Sequence, residues 1–267
     1  MSHFQGIEVV QRSVSCTLRF HLLILSLVFS SAAFAQMPGQ SIPEQPAVRA
    51  MQTEHGMHAT VGDEVIEITV CGDSVIHVMA KPNAARPHSA EKPWMLDEQQ
   101  SCPGAPLTFA QDAKAATIKT GKLEVVFGLE RGDLSFSTRS GELLLKEGSS
   151  VPRTYESVEI NGDRTFRVTD RFRPTSTEAL YGLGQHQNGM FNYRGATVEL
   201  AQNNADVALP LLVSSKGYAV MWNTAALTYV DNRFPLELTF NSIAGSCVDY
   251  YFIYGPEMDM VIHDIVR

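Results

Sequence analysis

The chain has 267 residues, with 21 Lys and Arg against 29 Asp and Glu and a formal net charge of −8 at pH 7. Nucleic-acid backbones are bound chiefly by clustered Lys and Arg, and no run of either occurs here. Composition therefore argues against a nucleic-acid partner and for a solubilising acidic surface.

At the N-terminus, Arg12 and Arg19 precede an apolar stretch from Phe20 to Phe34 that ends in the small-residue site Ala33-Phe34-Ala35. That is the pattern of a secretory signal. The apolar run is shorter than the roughly 20 residues a bilayer span needs, and Gln36-Met37-Pro38-Gly39 follows without a basic stop-transfer cluster. Residues 1–35 are expected to be a signal peptide cut after Ala35, giving a secreted or periplasmic protein with no membrane association after removal. Because Arg12 lies far from the start, a retained N-terminal anchor is the alternative. Cys16 leaves with this segment, and Cys71, Cys102 and Cys247 remain. One intramolecular disulfide is possible among three candidate pairs, and none of them has the CxxC spacing of a zinc or redox site.

Residues 36–50, with Pro38, Pro43 and Pro46, read as a flexible lead-in. The folded domain is expected over 51–258. Short alternating or β-branched runs bounded by turns predict strands at Val65–Val70, Val75–Met79, Ala116–Thr120, Leu123–Phe127, Leu134–Thr138 and Leu143–Lys146. Gly121-Lys122 and Arg139-Ser140-Gly141 separate pairs of these runs with hairpin-turn chemistry. Further strands are expected at Thr165–Phe172, Leu209–Val213, Ala219–Trp222, Leu227–Val230, Leu236–Phe240 and Ser246–Tyr254. Lys81 to Pro106, anchored by Trp94-Met95-Leu96, reads as a long surface excursion. Strands of this number without intervening helices predict an all-β domain, a large antiparallel β-sandwich rather than a doubly wound sheet. At the C-terminal end, Val261, Ile262, Ile265 and Val266 have helical spacing after Gly255-Pro256-Glu257. Residues 259–267 are read as the start of a helical connection to something downstream.

No catalytic constellation is visible in this chain. The GxSxG elbow, the HExxH helix, the GxxxxGK phosphate loop and any His/Cys cluster are all missing from the sequence, so no catalytic residue, metal or cofactor is expected. Tyr181-Gly182-Leu183-Gly184-Gln185-His186 lacks the third glycine and following helix of a dinucleotide fingerprint, and Arg131-Gly132-Asp133 reads as a turn rather than an adhesion tripeptide. The segment Tyr181 to Val213 stands apart. It passes through Phe191-Asn192-Tyr193-Arg194-Gly195 and Gln202-Asn203-Asn204-Ala205-Asp206 before the apolar run Leu209-Pro210-Leu211-Leu212-Val213. Asn and Gln present donors and acceptors together, which suits sugar hydroxyls, and nearby aromatic rings can pack on a pyranose. Equally, Asn-Asn is ordinary turn chemistry, and Phe191 and Tyr193 suit a core. His186 and Glu199 are the local pair a mutarotase-type epimerase would need as acid and base, with no mutarotase signature around them.

Tyr181-Gly182-Leu183-Gly184-Gln185-His186-Gln187, Asn192-Tyr193-Arg194-Gly195, Val198-Glu199-Leu200, Leu211 to Tyr218, and Tyr254-Gly255-Pro256-Glu257-Met258-Asp259 follow one another in this order. Together they resemble the N-terminal domain of glycoside hydrolase family 31, in its α-xylosidase and α-glucosidase branch, over a stretch from about Thr60 to Arg267. The resemblance implies a galactose-mutarotase-like supersandwich set ahead of a (β/α)8 catalytic barrel. It implies a retaining mechanism with two barrel aspartates, nucleophile and acid/base, roughly 5 Å apart. Such a barrel takes on the order of 250 residues. The resemblance thus implies a chain cut off before its catalytic domain and inactive alone. A loop of such N-terminal domains reaches over the barrel mouth to the sugar. The matching stretch is Gln202 to Asp206, which makes Asn203 and Asn204 the candidate substrate-binding residues. Asn204 stands where some relatives carry aspartate, a neutral amide replacing a charged acceptor. The implied partner is an α-linked oligosaccharide or glycoside, an α-xyloside or α-glucoside. A stand-alone carbohydrate-binding sandwich, an epimerase and a non-catalytic interaction protein are the alternatives. A sandwich that packs on a barrel is also expected to expose an apolar patch larger than monomers carry.

Overall fold

The computed structural model describes residues 47–83, 102–148, 151–234 and 236–265. The predicted signal peptide, most of the lead-in and residues 84–101 of the predicted excursion lie outside them. In chain order the strands of the first half are β1 (Val48–Thr53), β2 (Gly56–Val61), β3 (Glu64–Gly72), β4 (Val75–Pro82), β5 (Thr108–Gln111), β6 (Ala115–Lys119), β7 (Leu123–Gly128), β8 (Leu134–Thr138) and β9 (Leu143–Glu147). There follow β10 (Arg153–Ile160), β11 (Asp163–Arg173), β12 (Leu180–Gln185), β13 (Thr197–Leu200), β14 (Val207–Ser214), β15 (Tyr218–Trp222), β16 (Thr228–Asp231), β17 (Leu238–Gly245) and β18 (Val248–Tyr254). The single helix among the described residues, α1, spans Met258–Ile265, too short to cross a membrane.

Two antiparallel sheets result. The eight-stranded sheet runs β1-β2-β3-β4-β18-β15-β14-β12, and the ten-stranded sheet β13-β16-β17-β11-β9-β8-β7-β6-β5, with β10 paired to β11. The residues that dictate this layering alternate. Ala116 and Ile118 on β6, Leu123, Val125 and Phe127 on β7, and Leu134 and Phe136 on β8 are buried, while their neighbours are partly exposed. A period of two sends one face of a strand to the core. The opposite sheet contributes Ile66, Ile68, Ile76, Val78, Val220, Tyr250 and Phe252. Rings bridge the layers: Phe136 stacks on Phe252 at 4.1 Å, Trp222 on Phe240 at 5.1 Å, and Phe172 meets Tyr250 edge-on at 5.4 Å.

Every residue of β15 is buried, as expected of a strand covered on both faces. Its outer face, Ala219 and Met221, lies under a second apolar cluster with Tyr251, Ile253, Cys71 and Val261 of α1. Helix α1 therefore packs on the outside of the eight-stranded sheet. The disulfide joins Cys71 to Cys102, 31 residues apart, beside the same cluster, which selects one of the three pairs the sequence allows.

A charged group ties the two layers together at one end. Buried Arg153 on β10 donates through Nε to Glu64 Oε1 on β3 at 2.8 Å, through Nη1 to Glu147 on β9 at 2.5 Å, and through Nη2 to the Gly132 carbonyl at 2.6 Å. Burial works against the Arg153 charge, but the carboxylates of Glu147 and Glu64 overcome it and hold the guanidinium above its ordinary pKa. Asp170 is fully buried beside this group, with Oδ2 lacking a hydrogen-bond partner among the described residues. Burial, then repulsion from Glu147, raises its carboxyl well above the ordinary value.

Each predicted run contains a strand, with revised bounds. Thr120 N–H donates to the Leu123 carbonyl at 2.9 Å across Gly121-Lys122, and Gly141 takes the positive φ, 89°, that its turn requires. The domain begins earlier than Met51, because β1 starts at Val48. The run predicted from Ser246 is shortened at its start: β17 continues to Gly245, residues 246–247 make the turn, and β18 starts at Val248. Leu236, predicted to open a strand, is instead exposed ahead of β17.

Candidate functional site

The Tyr-Gly-Leu-Gly segment forms strand β12, and its glycines serve the backbone. Gly182, Leu183 and Gly184 have φ of 95°, 62° and 98° in succession. Register with β14 jumps here, from Gly182 opposite Leu212 to Gly184 opposite Ala208, so β14 bulges past Leu183. A Cβ on Gly184 would lie 1.9 Å from the Val207 carbonyl oxygen, and one on Gly182 2.3 Å from that of Leu211. Only glycine fits such an approach. Leu183 bears a left-handed conformation costing about 1–2 kcal/mol, offset by a side chain fully buried in the core.

The next motif braces this strand. Asn192 Oδ1 accepts from the N–H groups of Leu180 and Arg194, each at 3.0 Å. Arg194 Nη1 donates to the Thr175 carbonyl at 2.8 Å. Buried Glu178 receives Ser214 Oγ at 2.5 Å and Tyr218 Oη at 2.9 Å. Burial and the Glu178 carboxylate push the Tyr218 hydroxyl well above its ordinary pKa. Tyr193 is a core residue. Phe191 is not: it is 83 % exposed and leans on Tyr181 with ring centroids 5.1 Å apart.

Between β13 and β14 the chain leaves the ten-stranded sheet and enters the eight-stranded one, and Ala201 to Asp206 make the crossing. Two side chains pin this arch. Gln202 Oε1 accepts from Ala208 N–H at 3.0 Å, and Asp206 Oδ1 accepts from Gln187 N–H at 3.0 Å. Asn203 and Asn204 sit between the pins, both exposed, and neither side chain makes a hydrogen bond among the described residues. Gln202 and Asp206 thus hold the loop, while the two central amides are presented to solvent. Exposed apolar side chains flank the arch: Met190 and Phe191 beyond β12, and Val207 and Leu209 on β14. Elsewhere, on α1, which packs on β15 and β18, Met258, Met260 and Ile262 are also exposed. Exposed apolar side chains were expected of a sandwich that packs on a barrel, but which residues carry them was not legible, since each is as suited to a core as to a surface.

The pair considered for epimerase chemistry is not assembled as one. His186 Nε2 is engaged by the Leu183 carbonyl at 2.8 Å, with the Tyr193 ring edge-on to it. Glu199 projects from an exposed position of β13 in the other sheet, and no hydrogen bond or ion pair joins the two.

The sequence profile of the glycosyl hydrolase 31 N-terminal galactose mutarotase-like domain matches residues 65–231, which include β12, the bracing motif and the arch. The chain belongs to this family. As a GH31 N-terminal domain it is 33 % identical over 157 residues to an α-xylosidase of Saccharolobus solfataricus, a match covering 54 % of this chain and 21 % of that enzyme. Alpha-xylosidase A of Aspergillus niger is 30 % identical over 94 residues, covering 35 % and 13 %. A GH31 α-xylosidase from a soil metagenome, solved with xylose, superposes with a TM-score of 0.65 at 25 % identity, over 78 % of this chain and 32 % of that one. The GH31 dextranase of Flavobacterium johnsoniae, solved with isomaltotriose, shares the fold with a TM-score of 0.67 at 17 % identity, over 84 % of this chain and 28 % of its own. The chain thus spans about a fifth of the Saccharolobus enzyme. The expected antiparallel β-sandwich and the resemblance to the GH31 N-terminal domain are both borne out.

Proposed function

We propose that this domain shapes the substrate site of an exported α-glycosidase that hydrolyses the O-glycosyl bond of an α-xyloside or α-glucoside, with Asn203 and Asn204 hydrogen-bonding sugar hydroxyls. The observation that carries this reading is the arch itself, pinned at Gln202 and Asp206 with two uncommitted amides between. Family membership and the α-xylosidases among its relatives support the reaction class. The exposed apolar side chains around the arch and on α1 suit packing against a catalytic domain. On this reading the nucleophile and acid/base carboxylates belong to that catalytic domain, and the chain alone turns nothing over. The signal at residues 1–35 directs export, with Gln36 as the mature N-terminus.

The test is the full reading frame containing this chain, expressed with its native leader and assayed on 4-nitrophenyl α-xyloside and α-glucoside. A hydrogen bond between uncharged groups contributes about 0.5–1.5 kcal/mol, so Asn204→Ala should raise KM about 2- to 10-fold with kcat little changed. Asn203→Ala should behave likewise. Unchanged KM in both variants would refute the role of the arch, and a frame encoding no catalytic domain would refute the glycosidase reading.

A further inference from the structure

The ten-stranded sheet turns its other face to solvent, and a cleft of about 330 Å³ lies on it, at the small end of the roughly 300–1,000 Å³ typical of ligand sites. Strand register builds this cleft. Thr169 on β11, Asn241 on β17 and Tyr229 on β16 stand opposite one another across three strands, and Arg171, Thr239 and Asp231 form the adjacent row. Residues between them, Asp170, Phe240 and Val230, point into the core, so the six share the outer face. Phe234, from the loop after β16, adds a 68 % exposed ring to the lining.

The polar groups have a definite character. Asn241 Nδ2 donates to Thr169 Oγ1 at 3.1 Å, and its Oδ1 is buried with no partner among the described residues. Asp231 is a carboxylate that already receives Arg233 Nε and Nη2, and these hydrogen bonds hold its carboxyl below its ordinary pKa. Among the described residues the Arg171 side chain makes only a 3.4 Å contact with Thr154 Oγ1 and retains donors for a ligand. Arg167 and Arg171 balance Asp231 and Glu237 around the lining, so the cleft has no net charge to favour an anion, and an anion has no proton to give an acceptor. A polyol has both capacities: its hydroxyls donate to carboxylate oxygens and accept from a guanidinium. Two aromatic rings complete the match by offering a surface to the C–H face of a pyranose.

We propose that this cleft is a saccharide-binding site separate from the arch, taking roughly one or two pyranose units of a neutral chain. It stands independently of the role assigned to Asn203 and Asn204.

The experiment is a titration of the isotope-labelled chain with isomaltotriose, maltotriose and xylotriose, followed by backbone amide shifts. Saturable shifts are expected at Thr169, Tyr229, Thr239 and Asn241 with at least one of these sugars. Losing the ring in Tyr229→Ala should weaken that binding about tenfold, whereas Tyr229→Phe should retain most of it. Phe234→Ala, on an exposed loop, repeats the test without touching a strand. Amide shifts at residues 201–206 are read in the same titration, which separates failure of the cleft from failure of the arch. Shifts confined to residues 201–206, no shifts with any of the three sugars, or tighter binding of a uronic-acid oligomer would each overturn the assignment.

Discussion

Replacing Gly184 by alanine tests the central claim about β12, that its glycines exist to let two strands approach. The substitution carries two separable costs. Holding an L-residue at φ 98° costs about 1–2 kcal/mol. The added methyl would also lie 1.9 Å from Val207 O and 2.8 Å from Leu209 N, both backbone atoms that move only with the strand, and overpacking of this kind costs about 1–3 kcal/mol. Together they come to roughly 3 kcal/mol, which for a domain of this size lowers Tm by about 6–12 °C. Gly141 supplies the control: its φ is 89°, but a Cβ there meets nothing within 4 Å. Gly141→Ala should therefore show the conformational cost alone. The assay is thermal unfolding of both variants by circular dichroism, with amide shifts at residues 202–208 read alongside. The arch is pinned to Ala208 and Gln187, so a displaced β14 should perturb those amides in Gly184→Ala only. If Gly184→Ala melts no lower than Gly141→Ala, the close-approach argument is refuted.

The raised Asp170 carboxyl binds its proton more tightly in the folded state than in the unfolded one. The stability it contributes is full below the ordinary value of 3.8 and is lost as pH rises toward the folded pKa. Asp170→Asn removes that dependence, so the variant should melt above the parent at about pH 8 and lose its advantage near pH 4; parallel Tm–pH profiles would contradict this. The Cys71–Cys102 bridge spans 31 residues, and loop-closure entropy for that length predicts a loss of about 3–4 kcal/mol on reduction. Urea unfolding with and without reductant measures it, and non-reducing peptide mapping that joined Cys247 to either residue would show the pairing to be wrong. Arg153→Met leaves Glu147 buried without its cation, at a cost of about 3–5 kcal/mol; an unfolding midpoint close to that of the parent would count against the layer-bridging role of the guanidinium.

Fold class and family were legible in the local patterns of the chain. Alternation at Ala116 and Ile118, at Leu123, Val125 and Phe127, and at Leu134 and Phe136 follows from a local rule: a strand with one wet face must repeat every two residues. Gly121-Lys122 and Gly141 marked hairpins for an equally local reason, since turn geometry constrains only the residues within it. Strands escaped where that local signal was absent. β10 is largely solvent-facing, β12 is interrupted by glycines that its bulge requires, and β13 has only four residues. Tertiary structure decided everything that depends on residues distant in sequence. It chose Cys71 and Cys102 from three pairs because both reach the same outer cluster. It placed Tyr193 in the core and Phe191 outside, although composition suited either position to both residues. It also divided the amide-rich loop, committing Gln202 and Asp206 to backbone groups of neighbouring segments and leaving Asn203 and Asn204 exposed. Side chains in one loop have similar chemistry, and which of them is spent on the fold depends on the donors that the surrounding strands bring within hydrogen-bond reach.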